Sequence, residues 1–420
     1  MTNATRRFLL AGTAALWTGA ALARPRHAVR EAPHTAKPQQ PGAAPAADEE
    51  EGGTFNGTNG AAAQTPLGPV ATAAQWAFIS DFNTGAELMN KQADVEMPPS
   101  SMTKLMTAYI VYSKLKAGTL RLDQSLPVSE KAWRIQGSKM FVELGNNIPV
   151  EDLIRGMIIQ SGNDACIVLA EGIAGSEEQF VEMMNDTARK LGLTHSHFMN
   201  CTGWPADNHY MSVRDIATLA KAIIKDFPDY YHYDSEKTFT YHGIVQYNRN
   251  PLVQRGLADG LKTGHTEAGG YGVVGSSERN GRRVIVVLNG MPTSKVRVEE
   301  SIRLMTWAFN SFENVKLFAA NDVVEYAPVW LGARPTVPLV GGQDLVLTMP
   351  RGWRQHAHIA ATYDSPIPAP VRRGDRVGSL TVSGTGVPAA DVPLIAGDDV
   401  DRLGVTGRAM AVLTHYVTGA

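Results

Sequence analysis

The sequence contains little cysteine, no excess of either charge, and no long apolar stretch beyond its N-terminus. Its two cysteines, Cys166 and Cys201, are too few for a disulfide framework or a closed four-thiolate zinc site, and their spacing leaves open whether they pair. With 39 Lys+Arg against 41 Asp+Glu, the net charge of −2 argues against a nucleic-acid binder. Because no later run reaches about 20 uninterrupted apolar residues, no internal membrane span is predicted.

The composition is that of a folded protein with more than one domain. An apolar content of 44% with 19% charged residues is ordinary for globular proteins. The 420 residues leave room for two or three domains, at roughly 150 residues each.

The N-terminus has the pattern of an export signal, which we assign to residues 1–23. Arg6 and Arg7 precede an apolar run that ends at the small-x-small cleavage site Ala21-Leu22-Ala23. General secretory and twin-arginine export both fit this pattern, and an uncleaved N-terminal anchor is the alternative. Residues 24–72, rich in Ala, Pro, Gly, Gln and Glu, predict a disordered linker. We therefore expect an exported protein, located in the periplasm or at the outer face of the cytoplasmic membrane.

Residues 73–319 predict an α+β domain in which helices cover an antiparallel sheet. Capping boxes that begin at Ser176 and Ser212 open two of the helices, and Asn280-Gly281 joins the last two strands as a hairpin. The predicted helices are 105–115, two short ones within 151–174 that break at Ser161-Gly162, 176–192, one from 212, and 302–312. The predicted strands are 76–82, 260–264, 271–277 and 284–289.

The remainder of the chain predicts a small all-β domain followed by a tail. Residues 320–400 contain short alternating runs separated by Gly- and Pro-containing turns, which indicate strands. Residues 401–420 place four residues on one helical face, with Arg402 and Arg408 available to anionic lipid. The four are Val405, Ala409, Val412 and Tyr416. We expect a weak amphipathic tail that could make only a peripheral membrane contact, since Gly404 and Gly407 weaken the helix.

Three short motifs stand in order along the predicted α+β domain. Ser101-Met102-Thr103-Lys104 places a hydroxyl and an amine one helical turn apart, which is the minimum for a Ser-Lys nucleophile pair. Ser161-Gly162-Asn163 lies at the break between helices, and Lys262-Thr263-Gly264 lies in a strand-like run. Each motif alone is common, but the set and its order are typical of penicillin-binding proteins and class A β-lactamases.

With their neighbouring residues, the motifs resemble the serine-type D-alanyl-D-alanine carboxypeptidases, which are low-molecular-mass penicillin-binding proteins. The sequences that carry the resemblance are Met97 to Thr107, Ile158 to Ala165, and Gly260 to Thr266. The resemblance extends from about Trp76 past Phe312 and continues into the C-terminal β module, which that family also carries. It implies a β-lactamase/transpeptidase-like catalytic fold followed by the all-β domain.

The resemblance also implies roles for the first two motifs. Ser101 resembles the nucleophile that attacks the carbonyl between two D-alanines, and Lys104 resembles its general base. Because an unperturbed lysine has a pKa near 10.4, burial and the nearby Lys262 ammonium would have to lower the pKa of Lys104. Ser161 and Asn163 resemble a proton relay and a substrate-orienting amide.

Residues of the third motif and two arginines resemble the substrate-binding groups of the family. Lys262, Thr263, Gly264 and His265 would line the strand beside the peptide, and the backbone N–H groups of Ser101 and His265 resemble the oxyanion hole. The arginines are Arg249 and Arg297, and they match cations that the family uses near the site. A cation that binds the C-terminal carboxylate would fix the cut at the last residue.

The implied reaction is acylation of Ser101 with release of D-alanine, followed by hydrolysis of the acyl-enzyme. The expected partners are a peptidoglycan stem peptide that ends in D-alanyl-D-alanine and β-lactam antibiotics, which would acylate the same serine. The reaction requires no metal and no cofactor.

Three alternatives remain at this point. A class A β-lactamase would need a further carboxylate for rapid deacylation, and no Glu-x-x-Leu-Asn stands between residues 163 and 262. A D-alanyl-D-alanine endopeptidase that cuts cross-links would use the same chemistry but usually lacks the C-terminal module. A non-catalytic penicillin sensor is disfavoured by the intact motifs.

Overall fold

The structure, a computed structural model, describes residues 2–8, 62–387 and 389–418. Most of the predicted export signal at 1–23 and most of the predicted linker at 24–72 lie outside the described residues. Of the predicted signal, the structure describes Thr2–Phe8, which forms strand β1.

A five-stranded antiparallel sheet forms the centre of the first domain, with strand order β3-β2-β10-β9-β8. The hairpin between β9 and β10 turns at Asn280 and Gly281, whose φ angles of 53° and 77° are those that a tight two-residue turn needs. The predicted hairpin is therefore confirmed. The strands up to this point are β2 Trp76–Asp81, β3 Glu87–Lys91, β4 Ser125–Pro127, β5 Asn147–Pro149, β6 Thr238–Tyr241, β7 Ile244–Tyr247, β8 Thr263–Thr266, β9 Gly270–Arg279 and β10 Arg282–Met291.

Strand β8 differs from its predicted span of 260–264. The backbone N–H groups of Leu261 and Lys262 both donate to the carbonyl oxygen of Val274, and two successive donors to one acceptor interrupt the ladder. Regular pairing with β9 therefore begins only at Thr263, and Lys262 lies just before the strand.

The helices begin and end largely where local signals predict. The hydroxyl of Ser176 accepts a hydrogen bond from the backbone of Gln179 at 3.2 Å, and that of Ser212 accepts one from Asp215 at 3.1 Å, so both caps are confirmed. The helices are α1 Lys104–Lys116, α2 Glu130–Arg134, α3 Val150–Ile159, α4 Asn163–Ala174, α5 Glu177–Leu191, α6 Val213–Asp226, α7 Pro251–Gln254 and α8 Ser294–Ser311.

Helices cover both faces of the sheet. The larger core lies on the face of α1, α3, α4, α5 and α6, and contains buried side chains such as Met106, Val111 and Ile167. The smaller core lies under α8, where Leu304 and Met305 pack with Tyr271 and Val273 of β9. Strand β8 is at the edge of the sheet, so side chains from both layers reach it.

The C-terminal part is all-β and has its own core, which includes Trp353, Ile359 and Leu380. One sheet has the order β1-β15-β17-β18-β13-β12-β16, and a second joins β11 to β14. Its strands are β11 Phe312–Phe318, β12 Val323–Trp330, β13 Thr336–Gly341, β14 Leu345–Pro350, β15 Ala357–Ser365, β16 Ile367–Pro368, β17 Arg376–Gly384 and β18 Ala390–Ala396. The tail that follows forms helix α9, Val405–Thr418.

The predicted fold class, a helix-covered antiparallel sheet followed by a small all-β domain, is confirmed. The first strand of the second part, β11, begins at Phe312, before the boundary expected at residue 320. None of the helices in the described ranges combines the length and apolarity that a bilayer crossing needs.

Candidate active site

A cleft of about 440 Å³ lies beside the edge strand β8. Eight of the predicted site residues line it: Ser101, Ser161, Asn163, Arg249, Thr263, Gly264, His265 and Arg297. Two more, Lys104 and Lys262, are buried side chains, with 0% and 2% of their surface exposed. The fold thus brings together residues that the chain separates by up to about two hundred positions.

The first motif forms a short 3-10 helix, Ser100–Thr103, that continues directly into α1 at Lys104. This places the two functional groups on one face, one turn apart, and the Nζ atom of Lys104 lies 3.0 Å from Oγ of Ser101. The same Nζ donates to Oδ1 of Asn163 and to the carbonyl oxygen of Thr202, both at 2.7 Å. The amine is therefore held by three oxygen atoms, and one of them is the predicted nucleophile.

The pKa of Lys104 is lowered from that of an ordinary lysine, and burial of the amine is the largest cause. The nearby thiol groups of Cys166 and Cys201 act in the opposite direction, and the positive charge of Arg249 lowers the pKa further. Arg249 is thus a cation that assists besides Lys262, the one predicted from the sequence, whose contribution stays a prediction. A lowered pKa makes the neutral amine, the form that can accept a proton, more accessible near neutral pH.

The second motif occupies the break between α3 and α4. Ser161 adopts a φ of +66°, and its side chain is buried. Among the residues that the structure describes, its Oγ has no hydrogen-bond partner. Asn163 accepts from Lys104 through Oδ1 and donates through Nδ2 to the carbonyl oxygen of Gln136 at 2.8 Å. Since an amide nitrogen carries two hydrogens, one remains for a substrate carbonyl.

Asp164, next to this motif, fixes the loop that forms one wall of the cleft. Its buried carboxylate accepts hydrogen bonds from the backbone N–H groups of Met140, Phe141 and Val142, at 2.8 to 3.1 Å. This arrangement holds the preceding residues of the loop, including Ser138, beside the motif.

The two arginines that line the cleft come from different elements. Arg249 stands between two buried asparagines: Asn248 accepts from the backbone N–H of Asn250 at 2.9 Å, and Asn250 caps α7. The guanidinium of Arg249 donates to Oγ of Ser138 at 2.7 Å. Arg297 belongs to the first turns of α8 and is buried, with 4% of its surface exposed, whereas Arg249 is half-buried.

The segment from Thr202 to Pro205 lines the cleft but was not predicted from the sequence. Gly203 has a φ of +87°, and a Cβ atom there would meet the carbonyl oxygen of Ser100 at 1.8 Å. Only glycine permits this contact, which brings the Thr202 carbonyl to the Lys104 amine. The Gly-Trp-Pro turn was the available signal, although a turn by itself does not indicate what it contacts.

His209 is a second residue that the sequence did not predict. Its Nε2 lies 2.9 Å from Oγ1 of Thr103, and its Nδ1 accepts from the backbone N–H of Met199. Burial lowers its pKa to about 4, so the ring is neutral above that pH. It therefore supports the 3-10 helix that presents Ser101 and Lys104.

The two cysteines are buried and free, which answers the question that their spacing left open. Cys166 lies near Lys104, and burial raises the pKa of its thiol to about 12.

Comparison with known proteins agrees with this geometry. A family model described as D-alanyl-D-alanine carboxypeptidase matches residues 60–293, and a model of the penicillin-binding protein 5 C-terminal domain matches residues 312–402. The D-alanyl-D-alanine carboxypeptidase DacC of Escherichia coli is 38% identical over 363 residues, which are 84% of this chain and 90% of that protein.

Solved structures show the same similarity. Penicillin-binding protein 5 from Haemophilus influenzae has 35% sequence identity and a TM-score of 0.69, over 80% of this chain and 99% of that chain. Penicillin-binding protein D2 from Listeria monocytogenes, in an ampicillin-bound form, has 29% identity and a TM-score of 0.53, over 57% of this chain and 98% of that one. The resemblance that the motifs carry is thereby confirmed, and the chain belongs to the family of serine-type D-alanyl-D-alanine carboxypeptidases.

Proposed function

We propose that this carboxypeptidase removes the terminal D-alanine from peptidoglycan stem pentapeptides through an acyl-enzyme on Ser101. The observation that carries the proposal is the buried amine of Lys104, 3.0 Å from the Ser101 hydroxyl in a cleft that two arginines line. An ordinary lysine, with a pKa near 10.4, is protonated at neutral pH. Burial of Lys104 favours the neutral form that can take the hydroxyl proton as Ser101 attacks.

The other motif residues complete the proton path and the binding of the carbonyl group. Ser161 lines the cleft and would pass the proton to the departing D-alanine amine in this proposal, since its Oγ has no other partner in the described part of the chain. The backbone N–H groups of Ser101 and His265 form the oxyanion hole in this proposal. Loss of one such donor typically costs about 2.7 to 4 kcal/mol of transition-state stabilisation.

Arg249 and Arg297 bind the C-terminal carboxylate in this proposal, with Lys262 and Thr263 beside the peptide. A fixed carboxylate places the last peptide bond at Ser101, which distinguishes a carboxypeptidase from an endopeptidase. Guanidinium groups suit this task because their planar fork matches a carboxylate with two hydrogen bonds.

The proposed nucleophile is tested with a labelled penicillin, because a β-lactam would acylate the same hydroxyl. We expect the label on the wild-type protein and on Ser113→Ala, which removes an exposed serine of α1, but not on Ser101→Ala. Label on Ser101→Ala equal to that on the wild type would overturn the assignment of the nucleophile.

The reaction itself is tested by the release of D-alanine from a peptide that ends in D-alanyl-D-alanine, compared with cleavage of a cross-linked peptide dimer. We expect release from the linear peptide. Penicillin binding without any release would identify a sensor, and faster cleavage of the dimer would identify an endopeptidase.

We also propose that the protein acts outside the cytoplasm. The basic, then apolar N-terminus supports export with cleavage after Ala23. Helix α9 supports a peripheral membrane contact, because Val405, Leu413 and Tyr416 expose 75%, 61% and 86% of their surface. N-terminal sequencing of protein from the periplasmic fraction tests the cleavage site: a chain that still begins at residue 1 would contradict it.

A further inference from the structure

A stacked pair of rings joins the edge strand β8 to its neighbour β9. His265 and Tyr271 are directly opposite each other in the ladder, and their rings lie 3.9 Å apart between centroids, at an angle of 25°. Tyr271 is 9% exposed and packs in the core under α8. The core therefore fixes the tyrosine ring, and the ring supports the histidine.

The same tyrosine ring contacts Arg297 of α8. The central carbon of the Arg297 guanidinium lies 5.5 Å from the centroid of the Tyr271 ring, within the range of a cation–π interaction. A second contact runs from the guanidinium to Oγ of Ser294 at 3.3 Å. Two contacts of this kind limit the rotation of a long side chain that otherwise has many conformers.

Tyr271 does not itself line the cleft, whereas His265 and Arg297 both do. It is therefore placed to act on the substrate through its neighbours, and Arg297 is the neighbour whose guanidinium suits a carboxylate. A carboxylate is bound well by a guanidinium only when the fork already faces it, because ordering the side chain at the moment of binding costs affinity.

We propose that Tyr271 is a positioning residue: its ring, fixed by the core and by the stack on His265, holds the guanidinium of Arg297 in the orientation that binds the C-terminal carboxylate of the peptide. This inference rests on the proposed function of the cleft. The aromatic face of Tyr271 makes both contacts, so the ring is required and the hydroxyl is not. Tyr271→Phe keeps the ring, and Tyr271→Leu keeps an apolar side chain in the core without a π face.

The test compares two substrates that share one acyl-D-alanyl group. One is the peptide that ends in D-alanine, and the other is a thioester whose leaving group carries no carboxylate. For Tyr271→Leu we expect kcat/KM to fall about tenfold on the peptide, as loss of a partly desolvated cation–π contact predicts, and to change less than twofold on the thioester. Tyr271→Phe is expected to match the wild type on both substrates.

Tyr241→Leu is a matched control. Tyr241 is 8% exposed and stacks on His242 with ring centroids 4.1 Å apart, but it does not line the cleft. Its replacement also removes a buried ring that stacks on a histidine. It is expected to leave the ratio of kcat/KM on the peptide to kcat/KM on the thioester unchanged. A double-mutant cycle combines Tyr271→Leu with Arg297→Ala. When Arg297 is already replaced, the tyrosine change should lower kcat/KM on the peptide little further.

Three results would each overturn the inference. They are an equal loss of kcat/KM on both substrates in Tyr271→Leu, a loss in Tyr271→Phe as large as that in Tyr271→Leu, and full additivity of Tyr271→Leu with Arg297→Ala. A wild-type protein that turns over the thioester but releases no D-alanine would instead overturn the proposed function. Failure of the two proposals is therefore distinguishable.

Discussion

Asp234 should make the stability of this protein fall as the pH rises from 5 to 8. Its carboxyl group is fully buried, and Oδ2 is 3.4 Å from the Tyr112 hydroxyl. Oδ1 has no hydrogen-bond partner within the described residues. Burial is the largest cause that raises the pKa of Asp234 to about 8, and the charge of Asp259 raises it further.

The sign of the effect follows from proton binding. In the unfolded chain the carboxyl has a pKa near 3.8, whereas in the folded protein it is about 8. Between these pH values the folded state binds the extra proton, so the contribution of Asp234 to the free energy of unfolding is fully present below pH 3.8 and is lost as the pH rises through about 8. At about 1.4 kcal/mol per pH unit, the loss between pH 5 and 8 is about 4 kcal/mol.

Asp234→Asn removes the titration and keeps the size of the side chain. Urea denaturation of both proteins at pH 5, 6, 7 and 8 should show the variant gaining about 4 kcal/mol relative to the wild type across this range. Asp229→Asn, at an exposed aspartate of the same segment, is the control and should follow the wild type. Parallel curves for Asp234→Asn and the wild type would refute the reasoning.

Four further predictions concern the proposed general base, its support and the tail. Lys104→Arg keeps the charge but cannot supply a neutral amine near pH 7, so the acylation rate by penicillin should fall at least about 100-fold; a smaller loss would contradict the base assignment. In the wild type, the lowered pKa of Lys104 should place the midpoint of the rise of this rate with pH below 10.5, the pKa of an ordinary lysine, and a midpoint at or above 10.5 would contradict it. His209→Ala leaves the buried hydroxyl of Thr103 without its partner and should lower the free energy of unfolding by about 1 to 3 kcal/mol in urea, whereas unchanged stability would show that the contact is dispensable. Deletion of residues 401–420 should shift the protein from the membrane to the soluble fraction, and unchanged partitioning would exclude the tail as the membrane contact.

Features of the site that depend on neighbouring residues could be predicted from the sequence. The three-residue spacing of Ser101 and Lys104 puts them on one helical face wherever the helix lies, and they are 3.0 Å apart in the structure. The same is true of the break at Ser161, the serine caps of α5 and α6, and the Asn280-Gly281 turn. Each is set by backbone preferences that act within one or two turns of chain.

The span of β8 shows where local reasoning reaches its limit. The residues from Gly260 to Gly264 have the composition of a strand, but regular pairing starts at Thr263 because Val274 accepts from two successive N–H groups. Such an irregularity depends on the partner strand, and the sequence of β8 contains no sign of it.

The sequence alone determined the family, the order of the elements and the residue types that carry the chemistry. Only the tertiary structure decided which groups surround the Lys104 amine: a carbonyl oxygen 98 residues away, the Asn163 amide, and the charge of Arg249. It also decided the burial of Asp234 and the stack of Tyr271 on His265. The physical reason is that a pKa and a ring contact depend on desolvation and on neighbours in space, which the chain assembles from distant segments.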